Sequence, residues 1–140
     1  MLLRKLAGLL CALALVLAAL PAVAQYDEEL SQYSASLRVL MIQAERLRPQ
    51  DSASRAAIQS ELFELSKKLH RLEEEALRAN TELQRHGNAP DRKLLLAAAI
   101  SKSLDLAQSL IGFYLDTHDK AFWVSASQAA QSARQLLAQR

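Results

Sequence analysis

The chain has 140 residues, of which 51% are hydrophobic and 23% are charged. This length is enough for one domain with its own core. The 17 basic and 15 acidic residues nearly balance, so the protein lacks the single-sign field with which proteins grip nucleic acid or anionic lipid. The composition therefore predicts no nucleic-acid partner.

The N-terminal segment has the parts of a secretory signal peptide. Arg4 and Lys5 form a basic start, residues 6–20 form an apolar run, and Pro21 ends that run. The next three residues are Ala-Val-Ala, the small-residue pattern that signal peptidase cleaves. We therefore expect residues 1–24 to be a signal peptide that is removed.

Cleavage after Ala24 would leave Gln25 as the first residue of the exported protein, which would meet the membrane only during export. A retained anchor is the alternative, because residues 6–24 nearly reach the roughly 20 residues that span a bilayer. Cys11 follows a leucine in the middle of the apolar run, whereas lipid attachment needs a small residue before a cysteine at the end of the run. We expect residues 25–140 to be located in the periplasm.

The expected exported part must be stabilised by its core alone. Cys11 is the only cysteine of the chain, so no disulfide can form after cleavage. Without Arg4 and Lys5, the basic residues number 15 and equal the 15 acidic ones. The exported part is therefore formally neutral.

Apolar residues recur at alternating spacings of three and four along the whole exported part, which predicts helices and no strand. Pro49, Gly87 and Pro90 interrupt the pattern and so mark helix boundaries. We expect an all-α fold. The four predicted helices cover approximately residues 27–48, 52–86, 90–117 and 120–139.

Three local features predict helix ends and contacts. Asp51 or Ser52 has a side-chain oxygen that can cap the second helix. Asn88, with Asp91 three residues later, is typical of the cap of the third helix. Gly112 lies inside the third helix, where a glycine indicates a close contact with a neighbouring helix.

The second helix has the most regular pattern and, at about 35 residues, would be near 50 Å long. Phe63, His70 and Leu77 form a second stripe, seven residues apart, which lets this helix contact two neighbours. Its main apolar stripe comprises Ile58, Leu62, Leu65, Leu69, Leu72, Ala76, Ala79 and Leu83.

Short connections force consecutive helices to be neighbours, which predicts an antiparallel up-down-up-down four-helix bundle. The second and third helices are coiled-coil-like and longer than the other two. Either these two helices protrude, or their exposed seam is covered by a second copy, giving a homodimer, or by another protein of the bacterial envelope.

The histidines do not form an evident metal site. In the bundle His70, His86 and His118 lie far apart along the axis, and none has a glutamate three residues before it, as di-iron sites require. The reversed spacing of His70 and Glu73 places an imidazole and a carboxylate on one helix face, so these two are the candidate metal ligands; the alternative is that they are solvated surface groups. Haem would need axial ligands, and Met41 is the only methionine after residue 24. We expect no cofactor.

Aromatic residues flank the predicted turn between the third and fourth helices, where they either anchor a partner or close one end of the core. The chain has no G-x-S-x-G elbow and no glycine-rich phosphate loop, so we expect no enzyme. The candidate partner-contact residues are Phe122, Trp123, Phe63 and Leu77.

The sequence has no evident catalytic or cofactor motif, and its apolar seam is unbroken. Together these features predict a non-enzymatic protein–protein interaction or structural module of the envelope. The alternative is a periplasmic carrier that binds a metal or small ligand in the bundle interior or near His70.

Overall fold

The computed structural model describes residues 25–140, and within this range the protein has four helices and no strand. The expectation of an all-α fold is confirmed. The predicted signal peptide, residues 1–24, lies outside the described residues. The helices are α1 at residues 25–46, α2 at Ser52–Arg85, α3 at Arg92–Thr117 and α4 at Lys120–Ala138.

The turn between α1 and α2 differs from the prediction in two details. α1 ends at residue 46, earlier than predicted, because the residue before Pro49 is disfavoured in helical conformation. Asp51 precedes α2, but its carboxylate does not cap that helix. Instead, its Oδ2 accepts a hydrogen bond from the Arg48 backbone N–H at 3.1 Å, which stabilises the turn itself.

The turn between α2 and α3 contains Gly87 at φ +78°, the left-handed backbone that glycine adopts most readily, so the helix boundary predicted at this residue is confirmed. The prediction that Asn88 caps α3 is wrong. Asp91 caps the helix by accepting hydrogen bonds from the backbone N–H groups two and three residues later, at 2.8 and 3.3 Å. The buried Asn80 fixes this cap in place, because its Oδ1 accepts from the Asp91 backbone N–H at 2.7 Å.

The turn between α3 and α4 is made by two residues. His118 has a left-handed backbone at φ 58°, and its N–H donates to the Tyr114 carbonyl at 2.8 Å. Asp119 caps α4 by accepting from the Ala121 N–H at 2.9 Å. The chain therefore leaves one helix and enters the next within a few ångströms, which draws the ends of α3 and α4 together.

Side chains from all four helices form one hydrophobic core. α2 packs against α3, and α3 packs against α4. The buried residues of α4 are all alanine: Ala126, Ala130 and Ala133. Because alanine is short, α4 can lie close to its neighbours.

Hydrogen bonds accompany the apolar packing of α2 on α3. Ser101 is fully buried, and its Oγ donates to the Leu69 carbonyl of α2. Ser66 donates through Oγ to Asp105 Oδ1 at 2.8 Å. These side-chain groups thus have partners across the pair, as buried polar groups in native proteins generally do.

Gly112 does not mark a close helix contact, so that prediction is wrong. A Cβ added at Gly112 would meet no heavy atom within 4 Å. Instead, the glycine borders a shallow hollow of about 250 Å³ between α2 and α3, whose walls include Phe63, Gln108 and Asp116. The missing side chain leaves the surface open beside Phe63.

Candidate protein-interaction surface

Eight large apolar side chains of the described residues are exposed: Val39 and Ile42 lie on α1 and Val124 on α4, whereas the other five, each between 41 and 63% exposed, lie on α2 and α3. We call this surface the α2–α3 outer face. Large apolar side chains that are exposed on neighbouring helices are candidates for contact with another protein or a membrane. The five residues are Phe63, Leu77, Leu95, Leu106 and Phe113.

Phe63 is the most exposed member of this face, at 63%. Its ring lies beside the hollow at Gly112, and the Lys67 ammonium lies 5.1 Å from the ring centroid. A cation at this distance is attracted to the face of an aromatic ring. The hollow and the neighbouring ring together give this part of α2 and α3 an uneven surface, apolar at Phe63 and polar at Gln108 and Asp116.

α3 presents a continuous exposed stripe that was not predicted from the sequence. Its residues recur at alternating spacings of three and four on the side of α3 away from the core. We call this set the α3 stripe. Its members are Arg92, Leu95, Ala99, Lys102, Leu106, Ser109, Phe113 and Asp116.

Leu96 and Leu110 of α3 are partly buried against the core. The exposure of Leu95, Leu106 and Phe113 was not predicted from the sequence. The signal was present: these three residues lie on a second helical stripe, on the side of α3 opposite the core stripe. One apolar stripe is enough to pack α3 against the core, so the second stripe remains exposed.

The four predicted partner-contact residues lie in two places. Phe63 and Leu77 are exposed on α2. Phe122 and Trp123 are partly buried and pack against the core at the turn between α3 and α4. The ring centroids of Phe122 and Phe113 are 5.5 Å apart, so this aromatic group borders the α2–α3 outer face.

Trp123 also links α4 to α1. Its indole Nε1 donates a hydrogen bond to the Met41 backbone carbonyl at 3.3 Å. A tryptophan held in this way has one polar atom satisfied and most of its ring against the core. Trp123 thus packs against the core close to the turn between α3 and α4.

The structure places the two candidate metal ligands on the surface of α2. His70 Nε2 lies 3.2 Å from Glu74 Oε1, and both side chains are more than half exposed. The carboxylate paired with His70 is therefore that of Glu74. Glu73 is half-buried. Across residues 25–140, no group of three histidine, cysteine, aspartate or glutamate side chains is placed to hold a metal ion.

A polar cluster next to His70 joins α1 to α2. Arg71 Nη2 lies 3.5 Å from Glu29 Oε2, and the Tyr33 hydroxyl donates to the same oxygen at 3.2 Å. Burial, followed by the nearby Glu29 carboxylate, raises the pKa of Tyr33 above its usual 10.0. The cluster therefore has an evident structural role in holding the two helices together.

Arg140 connects three helices at the other end of α3 from the aromatic group. Its side chain is only 6% exposed and forms an ion pair with Asp27 of α1. Its Nη2 also donates to the Lys93 carbonyl in the first turn of α3 at 2.6 Å. Burial lowers the pKa of Arg140 below its usual value.

By length and composition α3 is apolar enough to cross a membrane, and it is the one helix of the described range for which this holds. Its most apolar window of 18 residues is 44% buried inside the protein. Three of the five residues of the α2–α3 outer face belong to this helix.

Comparisons with protein-family models, with curated proteins and with solved structures give no match to this chain.

Proposed function

We propose that the protein is exported to the periplasm, with cleavage after Ala24, and acts there as a non-enzymatic interaction module. The α2–α3 outer face would be the surface that contacts another envelope protein or a second copy. The observation that supports this role is the exposure of five large apolar side chains on two adjacent helices. Removing such side chains from water is the main favourable term in protein association.

We further propose that the four helices form an up-down-up-down bundle. Contacts between α2 and α3 support an antiparallel pair. Near the start of α2, Gln59 Nε2 donates to Asp116 Oδ1 at 2.9 Å, close to the end of α3. Near the end of α2, Asn80 contacts Asp91 at the start of α3. Residue numbers therefore rise along one helix as they fall along the other.

Contacts of α4 support the same arrangement for the other two helices. Trp123, at the start of α4, contacts Met41 near the end of α1. Arg140, just beyond the end of α4, contacts Asp27 at the start of α1 and Lys93 at the start of α3. In this arrangement α3 occupies one corner of the bundle and has its outer stripe free for a partner.

The interaction role predicts that photo-cross-linking in intact cells will depend on position. With benzoylphenylalanine in place of Phe63 or Phe113, irradiation is expected to give a defined cross-linked product, because both rings project into solvent from the proposed contact surface. Gln128, which is exposed on α4, is the control position and is expected to give none. Mass spectrometry of the product shows whether the partner is a second copy or another protein.

Equal cross-linking from all three positions, or none from Phe63 and Phe113, would contradict the proposed role of the α2–α3 outer face.

A further inference from the structure

We propose that the α3 stripe is the contact between two copies of this protein, which pack with their α3 helices antiparallel about a two-fold axis. This inference rests on the proposed interaction role and names the partner. The stripe extends over about 36 Å, from Arg92 to Asp116, at roughly 1.5 Å per residue. All eight of its residues are exposed in the single chain.

When two copies of the stripe are placed antiparallel, each residue of one copy faces a complementary residue of the other. In a two-fold contact, if residue i of one copy touches residue j of the other, then j also touches i. An axis at the height of residue 104, the midpoint of the stripe, pairs its members as follows: Arg92 with Asp116, Leu95 with Phe113, Ala99 with Ser109, and Lys102 with Leu106.

Each of these pairs is chemically matched. The outermost pairs join opposite charges, Arg92 of one copy and Asp116 of the other, and occur twice in the dimer. Next to them, two large apolar residues meet, and two small residues then allow the helices to approach closely. At the centre, the methylene groups of Lys102 can cover Leu106 while the ammonium remains in water.

The charges favour a second copy over a membrane surface. A helix that lies on an anionic bilayer usually has a basic polar face, whereas the stripe contains Arg92 and Lys102 together with Asp116. Burying Asp116 against anionic lipid would be unfavourable, but in the two-fold contact this carboxylate has a basic partner. In the two-fold contact, the charged residue at each end of the stripe therefore meets an opposite charge on the other copy.

Charge reversal tests the end pairs. In sedimentation velocity of the protein purified from the periplasm, Arg92→Asp and Asp116→Arg are each expected to weaken the dimer about tenfold or more, because two attractive pairs become repulsive. The double variant is expected to restore dimerisation to within about threefold of the unmodified protein. Both substitutions place the favourable charge at their end of α3, so the helix is expected to fold; circular dichroism checks this.

Disulfide trapping tests the register. Ala99→Cys protein mixed with Ser109→Cys protein is expected to form a covalent dimer on mild oxidation, because these positions face each other across the axis. Either variant alone is the control. In a dimer of one variant, the two identical cysteines would lie about 15 Å apart along the helix axis. This is beyond the roughly 7 Å between Cα atoms that a disulfide tolerates.

A monomer at all concentrations, no rescue in the double variant, or equal disulfide formation by the single variants would overturn the two-fold contact. Flotation of the protein with anionic vesicles, lost on Leu106→Asp, would also overturn it in favour of a membrane surface. The proposed interaction role is judged separately, by whether the cross-links at Phe63 identify a different protein.

Discussion

Replacement of Leu104 by alanine is expected to lower the free energy of unfolding by about 2–5 kcal/mol, the usual cost of a large-to-small change in a packed core. Leu104 is fully buried at the middle of α3, where all four helices contribute to one core. The loss combines the apolar surface that is no longer buried with the cavity that the remaining atoms cannot fill. Denaturant unfolding followed by circular dichroism measures it.

Leu77→Ala is the matched control, because this leucine lies on α2 and is 42% exposed. Its replacement is expected to cost about 1 kcal/mol or less. Equal losses for the two variants would mean that Leu104 does not occupy the centre of the core.

Replacement of Ala133 by leucine is expected to destabilise the protein by about 1–3 kcal/mol through overpacking. Ala133 is fully buried on α4, and the other two buried residues of this helix, Ala126 and Ala130, are also alanine. A leucine here must push α4 away from the core or adopt a strained rotamer. Thermal unfolding would show a lower midpoint temperature.

The control for this change is Ala121→Leu, on the exposed side of the first turn of α4. A change of about 0.5 kcal/mol or less is expected there. If Ala133→Leu were as stable as the unmodified protein, the close approach of α4 would be contradicted.

The helical repeat made the all-α fold predictable, since spacings of three and four leave few alternatives over long segments. The exact caps were less predictable because they depend on contacts between helices. Asp91 rather than Asn88 caps α3, since Asn80 of the preceding helix holds the Asp91 backbone in place. Local sequence contains no information about such a partner until the two helices are paired.

The candidate surface was predictable only in part. Phe63 and Leu77 were identified because they lie seven residues apart on a helix whose main stripe was already clear. The exposed residues of α3 were missed because this helix is apolar on several sides, so periodicity alone did not separate its core stripe from its outer one. Gly112 was misinterpreted for a related reason: its surroundings depend on which side of α3 faces α2.

A native mass spectrum of the protein isolated from the periplasm, without chelators, tests export and association with a second copy together. It reports cleavage, copy number and bound mass in one measurement. We expect a mass of two chains that begin at Gln25, with no additional mass. Chains that retain residues 1–24 would contradict export with cleavage, and a reproducible bound mass lost on His70→Ala would contradict the interaction role in favour of a carrier.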